Sequence, residues 1–142
     1  MKLFHIKTIG VATFLFTATY LRAQVTTQWG PDGYVKIENG SGGMSADLEP
    51  GDRFSRDHDQ SGDIDGDGVI DLVIGARSDD DGAMDAGAVY IVFLNSDGTV
   101  KGNQKISALS GGFTDALLEG NFFGYGVAGI GDYNDENIPD IA

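Results

Sequence analysis

The sequence predicts an all-β fold built from a repeated unit. Three observations carry that prediction. Short apolar, β-branched runs are separated by Asp/Gly/Asn turns, with no run long enough or periodic enough to make a helix. The chain also matches itself without gaps at an offset of 69 residues. Finally, the run Asp63-Ile64-Asp65-Gly66-Asp67-Gly68-Val69-Ile70-Asp71 leads straight into the apolar residues 72–76, as an acidic loop feeding a strand would.

The first 23 residues have the three parts of an export signal: Lys2, His5 and Lys7, then an apolar stretch over residues 9–21, then the small residue Ala23. The stretch is short of the roughly 20 apolar residues of a membrane span, and Thr13, Thr17 and Thr19 interrupt it. Cleavage after Ala23 is expected, leaving Gln24 at the mature terminus and residues 24–142 as the β domain. Trp29 and Tyr34 follow; they could stack on a sugar, but packing on the first repeat is the expectation.

The repeat begins near residue 36. Lys36-Ile37 falls on Lys105-Ile106, Ser41-Gly42-Gly43 on Ser110-Gly111-Gly112, and Leu48 on Leu117. Gly51 falls on Gly120, Phe54 on Phe123, Gly62-Asp63 on Gly131-Asp132, and Asp71 on Asp140. The first unit covers about residues 36–104 and the second residues 105–142, where it stops at the equivalent of a strand interior. Repeat architectures need about three units to close a core. The two incomplete units therefore read as the front of a longer array, and residues 24–142 alone are expected to associate through an unpaired edge.

Within the first unit, residues 69–74 and 88–94 are strand-like. Residues 88–94 (AVYIVFL) are apolar at both parities and should be covered on both faces, as an inner strand of a stacked blade would be. Asn95-Ser96-Asp97-Gly98 is a turn, after which residues 99–101 and 104–107 can continue the sheet. Residues 77–86, with Asp79, Asp80, Asp81 and Asp85, are expected to be an exposed acidic loop rather than a metal site.

The acidic loop is a candidate calcium site. Asp63, Asp65, Asp67 and Asp71 would supply carboxylates and Val69 its carbonyl, while Gly68 takes the positive φ that turns the backbone back on the ion. Position 12 of the loop is Ile74, not the Glu of an EF-hand, and Asp71 at position 9 closes the cage instead. Four like charges this close repel by roughly 4 kcal/mol per close pair at an effective dielectric near 20, which a bound Ca²⁺ would relieve. Asp/Gly-rich stretches are also ordinary solvated turns. In the second unit Asp132, Asn134, Glu136, Ile138 and Asp140 fall on the same positions. Glu136 and Asn137 replace Asp67 and Gly68, so this second site is expected to be weaker.

Phe123-Gly124, Val127-Ala128, Gly131-Asp132, the acidic loop and Asp71-Leu72-Val73-Ile74-Gly75-Ala76 together resemble the FG-GAP repeat of integrin α-subunit β-propellers. The resemblance covers essentially everything after residue 35. It implies about two incomplete blades of a propeller, commonly seven-bladed, with a structural calcium in the loop joining the first two strands of a blade. Ligand recognition would then lie on the opposite face. One departure is Phe54-Ser55-Arg56-Asp57-His58-Asp59, where the family has Phe-Gly and small apolar residues; this strand should be polar or edge-like.

The formal charge is −13, and −16 without the export signal, which argues against nucleic acid or an anionic membrane surface as partner. The chain has no cysteine, so disulfides and thiol chemistry are excluded. There is no Gly-x-Ser-x-Gly elbow or phosphate-cradling loop, and His58, the only histidine past the signal, is expected to be solvated. The sequence therefore points to an exported, calcium-binding propeller module that binds or adheres to an extracellular protein or glycan. A secreted hydrolase using paired carboxylates and a spacer in a larger surface protein are the alternatives.

Overall fold

The computed structural model describes residues 34–142. The expected export signal, its expected cleavage point and Trp29 lie outside the described residues. The chain divides into two units. The first is Met1–Val35 with Ser96–Thr99. Of its described residues, Tyr34 is 58% exposed. Residues 96–98 turn, within the expected 95–98 segment, and Thr99 donates from its backbone N–H (3.0 Å) and its hydroxyl (2.6 Å) to Asp97 Oδ1. These bonds, the hydroxyl's first, hold the Asp97 carboxyl below the usual carboxylate range.

The second unit, Lys36–Asn95 and Val100–Ala142, carries both sheets. Strands β1 (Phe54–Gly62), β2 (Asp71–Ala76), β3 (Ala88–Leu94) and β4 (Val100–Ile106) form a four-stranded antiparallel meander in sequence order. Strands β5 (Gly129–Gly131) and β6 (Asp140–Ile141) form a second, two-stranded antiparallel sheet. The described residues contain no helix, and so none long and apolar enough to cross a membrane.

The meander follows from local chemistry. β2 and β3 are β-branched and aromatic, and they take the two inner places, where side chains on both faces find neighbours. The register sets Ile74 opposite Tyr90 and Leu72 opposite Val92. One face of the sheet thus gathers Ile74, Ala76, Ala88, Tyr90 and Val92, which pack with Met44, Ala46 and Val100 into the core. Tyr90 is 1% exposed and meets Phe54 edge-on, with ring centroids 5.5 Å apart. Such a ring contributes about 2–3 kcal/mol by burial alone. On the other face Val73 and Val89 are buried, while Ile91 and Phe93 are half-buried.

β4 is one seven-residue strand where the sequence suggested two short ones. Gly102 and Asn103 are poor strand formers, but they pair with Phe93 and Val92, and that pairing outweighs their propensity. β1 is polar and lies at the sheet edge, and it carries two register shifts, between Phe54 and His58 and between Gln60 and Gly62. His58 is exposed.

β2 and β5 come close to backbone from the other end of the chain. A Cβ on Gly75 would run into the carbonyl of Gly124, and one on Gly129 into the carbonyl of Gln60. Only glycine fits at either point.

Candidate metal centre

The loop between β1 and β2 is folded by its own acids. Asp63 accepts the N–H of Asp67 on Oδ1 (3.0 Å) and that of Gly68 on Oδ2 (2.8 Å). Asp71, the first residue of β2 and fully buried, accepts Ile64 N–H on Oδ2 and Leu94 N–H on Oδ1, both at 3.0 Å. Asp71 therefore ties the loop to the far end of β3. The backbone reverses through Gly66 (φ +77°) and Gly68 (φ +88°), as expected for Gly68.

These bonds bring Asp63, Asp65 and Asp71 together, each with one carboxylate oxygen within 4.8 Å of the others. A carboxylate oxygen that accepts one amide keeps a second lone pair, so the three can hold a metal ion. Among the described residues no other group of three His, Cys, Asp or Glu converges this way. Asp67 is turned elsewhere: Oδ1 accepts Val69 N–H at 2.9 Å and Oδ2 is bonded to Lys101 Nζ.

Lys101, near the start of β4, is the residue that sequence reading missed. Its Nζ also lies 2.7 Å from Asp65 Oδ2. The pair of carboxylates, Asp65 first, raises the lysine above its ordinary pKa, and the Lys101 ammonium, followed by the Val69 amide, holds the Asp67 carboxyl below its ordinary value. No local signal links Lys101 to residues so far upstream; only the register of β3 on β4 brings it there.

The corresponding loop between β5 and β6 repeats the bonds 69 residues on. Asp132 accepts Glu136 N–H (2.9 Å) and Asn137 N–H (2.8 Å), and Asp140 accepts Tyr133 N–H (2.8 Å). Asn134 Oδ1 accepts Glu136 N–H at 3.1 Å, and Ile138 is 49% exposed. Here the left-handed positions fall on Asp135 (φ +60°) and Asn137 (φ +68°).

At the opposite end of β2 the 77–86 segment is exposed at Asp80, Gly82 and Met84, as expected, but not throughout. Asp79 is 3% exposed. It accepts the Tyr90 hydroxyl at 3.2 Å and the Lys105 ammonium at 2.9 Å, and Lys105 also reaches Asp81 at 3.3 Å. The run of acids looked solvated because the lysine that neutralises it comes from β4. Asp79, Asp81 and Lys105, with Asp47, Glu49, Asp52 and Asp80, line a polar cleft of about 260 Å³. Burial, the main cause, lifts the Asp52 carboxyl above its usual range.

Compared with known proteins, the chain matches no family model and no curated sequence.

Proposed function

We propose that this chain is part of an exported, calcium-stabilised β-propeller of the FG-GAP type, serving as a module that binds an extracellular protein or glycan. The observation that carries the reading is the convergence of Asp63, Asp65 and Asp71 in the loop joining the first two strands of a four-stranded antiparallel meander. An all-oxygen, carboxylate-rich donor set on a turn suits a hard cation such as Ca²⁺ rather than a softer metal. Asp67 and the Val69 carbonyl would complete the set. The same hydrogen bonds recurring 69 residues on support two copies of one unit, with Asp132, Asn134, Glu136, Ile138 and Asp140 as the weaker second site.

Binding fits the opposite end of the sheet better than the calcium loop. The cleft around Asp79 and Lys105 offers fixed charges of both signs at the mouth of a packed sheet, whereas the loop's carboxylates would be taken up by the cation.

The test is a thermal melt of the full-length protein in calcium and in chelator. For one site with Kd about 0.1 mM at about 1 mM calcium, linkage predicts roughly 1.4 kcal/mol of added stability. Asp65→Asn should remove most of that increment, and potassium chloride of equal ionic strength should not reproduce it. Equal melting points in calcium and chelator would overturn the calcium reading. Hydrolytic turnover lost on changing one carboxylate, with the fold intact, would overturn the binding-module reading.

A further inference from the structure

We infer that Lys101 is a built-in competitor for the cation of the 63–71 loop, so that calcium enters by exchange for an ammonium group. This rests on the calcium reading of that loop and adds its regulation.

The loop's carboxylates fall into two halves. Asp63 and Asp71 are fixed, each accepting two backbone N–H groups. Asp65 and Asp67 share the Lys101 ammonium, at 2.7 Å from Asp65 and in direct contact with Oδ2 of Asp67, whose other oxygen accepts the Val69 N–H. A cation that recruits all four must pull the second pair away from the lysine. The ammonium is a compact point charge on a flexible stem, and its side chain is 30% exposed, so it has room to leave.

Its placement is set by the sheet. Val100, the residue before it, pairs with Leu94, whose N–H is held by Asp71. The backbone that carries the competitor is thereby tied to a residue of the site.

A unit charge about 5 Å from a divalent ion in water-like dielectric opposes it by enough to change affinity about tenfold. Calcium titration calorimetry on the full-length protein, in low salt and in 0.5 M potassium chloride (about a 4 Å screening length), compares wild type with Lys101→Met, Lys101→Gln and Lys101→Arg. The two neutral variants should bind calcium about tenfold more tightly at low salt, with the gap shrinking at high salt. Lys101→Arg should stay near wild type. Acylation of Lys101 by an amine reagent, read by mass spectrometry, should rise when calcium is added. Neutral variants that bind with unchanged or weaker affinity overturn the exchange while leaving the calcium reading standing. If neither wild type nor the neutral variants bind calcium, the calcium reading itself falls.

Discussion

Asp71 and Asp65 have different roles in the same loop. Asp71 is fully buried and pairs two amides, so Asp71→Ala would strand the N–H groups of Ile64 and Leu94 and cost about 2–4 kcal/mol even in chelator. Asp65 contacts only Lys101 besides its place in the cluster, so Asp65→Asn should leave the melting point in chelator nearly unchanged and remove the calcium increment. A large loss for Asp65→Asn in chelator would contradict this division. Tyr90 gives a second prediction at this scale. Burial first, then the charge of Asp79, pushes its phenol up to about 12 from the ordinary 10. The unfolded chain's phenol ionises first as pH rises, so the fold loses stability between pH 10 and about 12. Tyr90→Phe should cost about 1 kcal/mol at neutral pH for the lost Asp79 bond and flatten part of that alkaline decline, measured by urea midpoints from pH 9 upward. The loop acids were legible because their spacing is local and the chemistry needs that spacing. Lys101 and the buried Asp79 were not, since each acquires its partner through strand register or the approach of distant chain.

At the scale of elements, β2 and β3 were readable because an inner strand must be apolar on both faces, and that composition survives any change of neighbours. β1 and β4 were harder. Their polar and glycine positions make sense only once the neighbouring chain is known: Gly102 lies opposite Phe93, and Asp57 and Asp59 accept the amides of Val127 and Gly129 beside β5. Ser55 stands where the self-match at an offset of 69 places Gly124. It adopts φ +66°, the conformation Gly124 adopts at φ +81° in the second unit, and it sits within the first register shift of β1. The backbone conformation is kept while the residue that suits it best is not. A non-glycine residue in this region costs about 1 kcal/mol, so Ser55→Gly should raise stability by up to about that amount, less what the freer unfolded chain takes back. Asn137→Gly should act similarly in the β5–β6 loop, where Asn137 holds φ +68°. Denaturant midpoints for both variants decide the matter; a fall in either would mean that the side chain makes a contact worth more than the strain.

Within residues 36–95 and 100–142, the four-stranded sheet and the chain around β5 are joined by hydrogen bonds to backbone amides, with carboxylates of β1 among the acceptors. Asp57 Oδ2 accepts Val127 N–H at 2.8 Å and Asp59 Oδ2 accepts Gly129 N–H at 3.2 Å. The 77–87 loop receives Gly120, Phe122 and Phe123 N–H groups on the carbonyls of Met84, Asp85 and Ala86 at 2.9–3.0 Å. Arg77 lies over the rings of Phe122 and Tyr125, 5.5 and 4.9 Å from their centres. The acids of β1, odd for a strand, thus serve as acceptors where the small second sheet has too few strands of its own to pair these amides. Because the contact is backbone on backbone, it has no slack for a methyl group. Gly75→Ala would drive its Cβ into the Gly124 carbonyl and should cost about 2–3 kcal/mol, more than an exposed glycine substitution does. Asp57→Ala with Asp59→Ala should be milder globally but should release the amides of Val127 and Gly129. Native-state hydrogen exchange separates the two cases: the double variant should lose protection at those two amides while the β2–β3 ladder keeps its own. If the β2–β3 amides lost protection equally, the acids would be supporting the four-stranded sheet itself rather than its junction with β5.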